Sequence, residues 1–316
     1  MEAMRSSRFF IVMSLLLGAM WIADLIWASR LGVRMAGLGN LIATILLMAI
    51  NFIFYRRLRE GDRAAGLVAV FGILFALTSG SAALSYFAAT VGRPYADAML
   101  ARGDAALGFD WLAWYHVVQD HRLLRGLLHG AYVVLVPEMV LFIIALPLSG
   151  MLPRAYELLS GLAISLIPTL ILFALFPAEC AWVVFQAEPG KVPLFLRDLV
   201  ALRSGAMPVV EIGRLNGLVT FPSFHTVMAI LMTYAARGTR FLFLACVVNG
   251  LMIVGCLSEG GHYLVDLIAG GVIAIGTIGV LRYLARRGSG DVGDVAHVAG
   301  DMGKLALSMK LPRDER

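Results

Sequence analysis

The sequence predicts an all-α protein, a polytopic membrane helical bundle with about eight transmembrane helices. Of its 316 residues, 60% are hydrophobic and only 15% are charged, and the mean hydropathy is +0.84. An ordinary soluble domain carries about a quarter charged residues, so this chain has too few to cover a globule in water. The composition excludes a cytosolic enzyme, a disordered chain and a disulfide-stapled secreted module, and it indicates a bilayer environment.

Long apolar stretches divide the chain into candidate membrane spans. A spanning helix needs roughly 17 to 25 mostly apolar residues. The eight stretches that approach this length are 9–27, 38–54, 67–91, 127–148, 156–177, 220–236, 240–258 and 263–284. We therefore expect two accessory N-terminal helices over 1–66, a six-helix core over 67–284, and a mobile tail over 285–316.

The distribution of basic residues predicts how the bundle is oriented. With an even number of spans both termini share a side, and 16 of the 26 basic residues fall on that side, in its short loops and at the two termini. The positive-inside rule gives short loops the greatest weight. We expect both termini and the tail in the cytoplasm, and the long loops 92–126 and 178–217 outside, which in a bacterial inner membrane is the periplasm. Topology explains the basic charge, so no nucleic-acid partner is expected.

The outer loop 92–126 has a composition of its own. It mixes apolar and aromatic side chains, Trp111 among them, with Asp97, Asp104 and Asp110. Such a segment is typical of a helix in the membrane interface, with its indole rings at headgroup depth. A structural plug over the bundle and a substrate-gripping element both fit this pattern.

Two histidines at helix starts form the candidate site. The sixth span opens with the sequence PSFH, which ends at His225, and the eighth opens with HYLVD, which begins at His262. Because the seventh span returns the chain to the outer face, both histidines should lie on the same side of the membrane. They can therefore share one site.

Each part of this pattern has a chemical use. His262 and Asp266 are four residues apart, which on a helix places them on one face. The carboxylate can bind one ring nitrogen and leave the lone pair of the other free to act as a nucleophile. Pro222 suits the first turn of a helix, whose free amides would bind an anion together with the Ser223 hydroxyl. These are the parts of a phosphoryl-transfer site, and we expect no metal and no cofactor.

These motifs resemble those of the type 2 phosphatidic acid phosphatase superfamily, over roughly residues 67–284. The PSFH sequence is similar to the family's second motif, Pro-Ser-Gly-His, with Phe224 in place of glycine. The HYLVD sequence is similar to the end of the third motif, His-x-x-x-Asp. A bulky residue before the histidine and a His-Tyr-x-x-Asp motif resemble the branch of inositol phosphorylceramide synthases and sphingomyelin synthases.

The resemblance implies a role for each matching residue. His262 would attack phosphorus to form a phosphohistidine, and Asp266 would orient its ring. His225 would protonate the leaving oxygen and later take a proton from the incoming water or alcohol.

The chain departs from the family pattern in its cations. Gly255 and Cys256 stand where the third motif has Ser-Arg, and the first motif is not intact around Lys191 and Arg197. Other cations of the outer face must then meet the phosphate charge. The candidates are Lys191, Arg197, Arg203, Arg214 and Arg93.

The function expected from these observations is phosphoryl transfer from a membrane lipid at the outer leaflet. The motifs favour a headgroup phosphotransferase similar to inositol phosphorylceramide synthase, and a lipid phosphate phosphatase differs only in using water as the acceptor. A transporter or flippase with a histidine proton relay would spread ionisable groups through the bilayer. In this chain the ionisable residues cluster at one membrane face, and Glu138, within the fourth span, is the chief exception. We expect Glu138 to make a structural hydrogen bond. An inactive pseudo-enzyme is the last alternative, and the sequence leaves the oligomeric state open.

Overall fold

The computed structural model describes residues 2–37, 39–53, 62–189 and 192–308, and this part of the chain is mostly helical. Its α-helices are α1 (Glu2–Leu31), α2 (Gly39–Ile53), α3 (Arg63–Ala89), α4 (Asp97–Ala106), α5 (Trp111–Asp120), α6 (Arg122–Val133), α7 (Leu135–Leu148), α8 (Leu152–Leu175), α9 (Ala181–Val184), α10 (Leu194–Arg203), α11 (Phe224–Ala235), α12 (Leu242–Ser258) and α13 (Leu264–Ser308). Two short strands are β1 (Arg34–Ala36) and β2 (Val209–Glu211).

A single apolar core joins the long helices. Fully buried side chains from α3, α7, α8, α11 and α13 belong to one cluster, which includes Ile73, Ile143, Leu159, Met232 and Ala274. Other large apolar side chains point outward, so the outer surface of the bundle is also apolar. The exposed fraction of Phe243 is 80%, and that of Leu15 is 70%. An apolar surface around an apolar core is what a bilayer environment requires.

Every apolar stretch of the sequence coincides with a helix, but the structure does not confirm the number of eight spans. In the described part of the chain, four helices are long and apolar enough to cross a membrane, or five if a bent pair forms one span. Helix α11 has 12 residues, which gives a length of about 18 Å against a hydrocarbon core of about 30 Å. Helices α2 and α12, with 15 and 17 residues, are also short. The long apolar helices are typical of an integral membrane protein.

The predicted fourth span is the bent pair. Helices α6 and α7 meet at an angle of 45° around Val134. Pro137 follows in the first turn of α7, where its missing N–H leaves the ladder of helical hydrogen bonds incomplete. Glu138 lies beside it, and Asn249 of α12 donates a hydrogen bond of 2.9 Å to its carboxylate. The predicted structural hydrogen bond of Glu138 is confirmed.

The N-terminal helices pack on one side of the bundle. Helices α1 and α2 both lie against α3. The strand β1, which follows α1, pairs in parallel with β2, so that Arg34 is opposite Val209. This small sheet departs from the predicted all-α fold. Each strand has only three residues, which is too short to show an alternating pattern of apolar and polar residues, and the two strands lie far apart in the sequence. The sequence therefore did not predict them.

The last helix continues past the predicted end of the core. Helix α13 begins at Leu264, and its apolar, membrane-compatible part extends to Arg286. The helix continues to Ser308. Residues 309–316 lie outside the described part of the chain. The predicted mobility of the tail stays a prediction.

Candidate active site

The two histidines at the predicted helix starts lie side by side. His225 is the second residue of α11, and His262 lies in the turn between α12 and α13. Their ring centroids are 6.1 Å apart, and the ring planes are inclined by 62°. Reacting atoms need to approach to about 3–3.5 Å, so one phosphorus atom fits between rings at this separation. The structure therefore brings together two imidazoles that lie 37 positions apart in the sequence.

A buried carboxylate holds the His262 ring. His262 Nδ1 lies 3.2 Å from Asp266 Oδ2, and the same oxygen accepts a hydrogen bond of 2.8 Å from the backbone N–H of Tyr263. His262 precedes α13, so the pair does not lie on one helix face as the sequence predicts. The turn at Tyr263 makes the contact instead. A carboxylate at Nδ1 leaves Nε2 as the reactive nitrogen of the ring.

Burial keeps His262 uncharged at neutral pH. The exposed fraction of its side chain is 6%. This burial lowers the pKa of His262 to about 4, while a hydrogen bond with the backbone of Thr220 acts in the opposite direction. Only a neutral imidazole has the lone pair that attack on phosphorus requires. The turn therefore holds the ring in the form that can act as a nucleophile.

The start of α11 differs in detail from the prediction. Ser223 is the N-cap, and its Oγ accepts a hydrogen bond of 3.4 Å from the backbone N–H of Thr226. The helix begins at Phe224, so Pro222 precedes the cap and does not occupy the first turn. A serine hydroxyl can satisfy a free amide, so Ser223 takes the capping position. The predicted contact of this buried hydroxyl with phosphate stays a prediction.

Free backbone donors lie next to the His225 ring. Among the described residues, no acceptor pairs with the backbone N–H groups of Phe224 and His225. Amides at a helix start point along the positive end of the helix dipole and bind anions. On its other side the His225 ring stacks on Tyr132 of α6, with centroids 5.0 Å apart. The ring is thus fixed beside a place suited to a phosphate oxygen.

Helix α4 clamps the turn that carries His262. Asp104 accepts two hydrogen bonds of 2.9 Å from the backbone N–H groups of Leu264 and Val265, the first amides of α13. Burial raises the pKa of Asp104, and these two hydrogen bonds act against that rise. Two turns earlier, Asp97 accepts a hydrogen bond of 3.0 Å from the Tyr263 hydroxyl. Asp97 and Asp104 therefore anchor the three residues that directly follow His262.

Two tryptophans hold the carbonyl groups of the same turn. Trp111 of α5 donates a hydrogen bond of 3.0 Å to the His262 carbonyl, and Trp182 of α9 donates one of 2.9 Å to the Ser258 carbonyl. Trp182 also packs on Gly261, which has a φ of +63°, and a Cβ there would lie 2.9 Å from the indole ring. Only glycine suits this conformation and this approach.

These contacts support a structural role of the segment 92–126. Its aspartates and Trp111 contact the backbone of the candidate active site, and Trp111 is buried there with an exposed fraction of 1%. The Trp111 N–H has a buried carbonyl partner, so this ring faces the protein, and the predicted headgroup depth of the indole rings stays a prediction. The segment therefore contacts the backbone of the candidate site, and a substrate-gripping role stays a prediction.

Comparison with known families agrees with this geometry. The sequence model described as the PAP2 superfamily matches residues 98–280. The chain belongs to this superfamily. The match begins within α4 and ends at residue 280, in the first half of α13, and it includes both histidines and Asp266. Comparisons with curated proteins and with solved structures give no match. Members of the PAP2 superfamily are generally phosphatases and phosphotransferases, which supports an enzymatic activity on lipid phosphates.

The cations predicted for this PAP2 protein are not seen at the histidines. Arg203 donates a hydrogen bond to the Arg93 carbonyl, and its guanidinium lies over the Tyr95 ring at 4.2 Å. Arg214 is 80% exposed and lies 3.4 Å from Glu211. Arg197 is exposed on α10.

Among the described residues, no hydrogen bond or ion pair connects these predicted arginines to His225, His262 or Asp266. Lys191 lies outside the described part of the chain. A role of these five cations in phosphate binding stays a prediction.

Sequence reasoning missed several residues that build the site. Tyr132 stacks on His225, and His129 of the same helix donates a hydrogen bond of 2.7 Å to Glu259. One signal was present in the sequence, since His129 and Tyr132 are three residues apart and share a helix face. Among the described residues, no three His, Cys, Asp or Glu side chains form a group that could hold a metal ion.

Proposed function

We propose that this chain is an integral-membrane phosphotransferase that moves a phosphoryl group from a lipid-linked phosphate through a phosphohistidine. The observation that supports this most is the pair of facing imidazoles, 6.1 Å apart, one of which contacts a buried carboxylate. Membership of the PAP2 superfamily supports the same class of chemistry. We also propose that the reaction needs neither a metal nor a cofactor.

The first half of the proposed reaction forms the covalent intermediate. The Nε2 atom of His262 attacks phosphorus, and the bond between phosphorus and the leaving oxygen breaks. His225 donates a proton to that oxygen, so that it departs as an alcohol. Asp266 stabilises the positive charge that develops on the attacking ring. The amides of Phe224 and His225 are placed to stabilise the phosphate oxygens.

The second half returns the enzyme to its starting state. His225, now unprotonated, takes the proton of an incoming hydroxyl group. The oxygen of that group attacks phosphorus, and the bond between phosphorus and His262 breaks. If the hydroxyl belongs to an alcohol, the product is a new phosphate ester. If it belongs to water, a phosphomonoester substrate gives free phosphate and a phosphodiester substrate gives the phosphorylated headgroup.

The acceptor distinguishes the two candidate functions. The bulky Phe224 before His225 and the tyrosine after His262 favour an alcohol acceptor, as in the synthase branch that acts on sphingolipids. A lipid phosphate phosphatase is the alternative, because the chemistry before the acceptor is identical. The positive-inside count supports an active site on the outer face of a bacterial inner membrane, with both termini in the cytoplasm.

Product identification tests this proposal. The purified protein would be incubated with phospholipids labelled in the phosphate, with and without ceramide, diacylglycerol or inositol. A headgroup transferase yields a new labelled lipid only when the acceptor is present, and a phosphatase yields labelled phosphate without it. If neither product forms with any lipid while the protein remains folded, the proposed function is wrong.

A further inference from the structure

A polar cleft of about 830 Å³ opens beside the candidate active site. It lies between the end of α5, the first turns of α6 and the end of α12. Its walls include Arg122, Arg125, His129, Ser258 and Glu259. None of these residues was a candidate for substrate binding in the sequence.

One face of α6 connects the cleft to the catalytic histidines. Arg122, Arg125, His129 and Tyr132 follow one another at three- and four-residue intervals, which places them on one side of the helix. Tyr132 stacks on His225 at one end of this face. Arg125 lies seven residues before Tyr132, which is about 10 Å along the helix axis. A ligand in the cleft would therefore extend outward from the reacting phosphorus.

The acidic groups of the cleft already have partners. Glu259 accepts a hydrogen bond of 2.7 Å from His129. Glu188 accepts one of 3.0 Å from the Tyr115 hydroxyl. Each carboxylate thus has a hydrogen-bond partner, and among the described residues neither forms an ion pair with Arg122 or Arg125.

The groups without a partner are donors. In the described part of the chain, no hydrogen bond or ion pair involves the guanidinium groups of Arg122 and Arg125. The Ser258 hydroxyl is in the cleft wall, is 2% exposed, and also lacks a partner among the described residues. A buried hydroxyl without a hydrogen-bond partner lowers the stability of the protein, and a bound ligand that accepts its hydrogen bond would remove this cost. Two guanidiniums and a hydroxyl together match a ligand that offers negatively charged oxygens.

We propose that this cleft binds an anionic group that the substrate carries beyond its reacting phosphorus, a carboxylate or a second phosphate. Arg122 and Arg125 bind that group, and Ser258 donates a hydrogen bond to the same ligand. The cleft thereby selects lipids with an acidic headgroup. This inference rests on the proposed function, because the selected headgroup belongs to the same substrate.

A binding experiment tests the cleft without turnover. The full-length His262→Ala variant in detergent would be titrated by calorimetry with O-phosphoserine and with phosphoethanolamine, which differ by one carboxylate, at fixed ionic strength. We expect phosphoserine to bind at least tenfold more tightly. Arg122→Gln with Arg125→Gln in the same background should abolish this preference. Arg102→Gln, at an exposed arginine of α4 outside the cleft, should retain it.

A kinetic experiment tests the same selection in the active protein. Phosphatidylserine and phosphatidylethanolamine in mixed micelles form the matched pair of lipids. The arginine variants should raise the KM for phosphatidylserine at least tenfold and leave the KM for phosphatidylethanolamine within twofold. An equal change for both lipids would show a structural role and overturn the inference.

The two experiments separate the failure of this inference from the failure of the proposed function. Absence of turnover with every lipid contradicts the proposed function, and calorimetry then decides on the cleft alone. If the parent variant shows no preference for phosphoserine, or if the preference survives loss of both arginines, the inference is overturned while a measured turnover still stands.

Discussion

At the scale of single residues, the chemistry depends on the protonation state of His262. Burial lowers its pKa to about 4, so the ring is neutral from pH 7 down to about pH 5, where an exposed histidine is protonated. Because the nucleophile is still neutral at pH 5, we expect that the rate of the first turnover does not fall between pH 7 and pH 5. The measurement is the rate of phospho-enzyme formation from a phosphodiester lipid, whose phosphate does not titrate in this range. A fall of about 25-fold with a midpoint near pH 6.5, as for an exposed histidine, would contradict the assigned environment of His262.

The contact between His262 and Asp266 gives a second prediction at this scale. The Asp266→Asn variant can present an amide N–H to the ring and so favour the wrong tautomer. We expect kcat to fall by a factor on the order of 10²–10⁴, as for other carboxylate–histidine pairs. The thermal midpoint should change little, because asparagine has almost the same volume. The exposed Asp120→Asn variant, at the end of α5, is the control and should keep the wild-type rate. Wild-type kinetics in the Asp266 variant would remove the orienting role.

At the scale of elements, α13 approaches the start of α11 through a glycine. A Cβ on Gly270 would lie 2.4 Å from the carbonyl oxygen of Ser223, so an alanine there must displace the cap that precedes His225. Nothing lies within 4 Å of the same atom on Gly276, one and a half turns later in the same helix.

The Gly270→Ala variant should therefore be destabilised by roughly 1–3 kcal/mol and should lose at least tenfold in kcat. Gly276→Ala should keep its activity and gain up to about 1 kcal/mol, because alanine favours the helix. Thermal unfolding and turnover of both variants check this. Equal behaviour of the two variants would show that the close approach at Gly270 does not position the site.

The sequence predicted the helices better than their ends. Apolar composition locates a helix, but local contacts decide where it begins. The predicted span starts at residue 220, whereas α11 begins at Phe224 because Ser223 is its N-cap. The pairing of His262 with Asp266 was predictable because only four residues separate them. The clamp by Asp97 and Asp104 was not, because Asp104 and Leu264 lie 160 positions apart and no spacing in the sequence links them.

At the scale of the whole molecule, orientation in the membrane decides which leaflet supplies the substrate. Ser204 is exposed at the end of α10, and Ser149 is exposed at the opposite end of the bundle, between α7 and α8. In a Cys246→Ser background, which removes the exposed native thiol, Ser204→Cys should react with an impermeant thiol reagent from outside the cell. Ser149→Cys should react only after the membrane is permeabilised. The reverse pattern would place the active site in the cytoplasm.

The family match and the site geometry agree at this scale as well. The match to the PAP2 superfamily begins within α4, so the helices that precede it, α1 to α3, lie outside the matched region. The proposed synthase-like branch within the superfamily depends on Phe224 and Tyr263 alone. Two residues do not decide whether the acceptor is water or an alcohol. Identification of the reaction products decides this directly.

The central claim is a covalent intermediate on His262, and the most direct measurement is its isolation. The protein would be mixed with a lipid labelled in the phosphate, quenched within milliseconds to seconds in alkali, digested, and analysed by mass spectrometry. We expect an acid-labile, base-stable phosphate on His262, absent from the His262→Ala variant. A label on another residue, or turnover in His262→Ala at the wild-type rate, would contradict it.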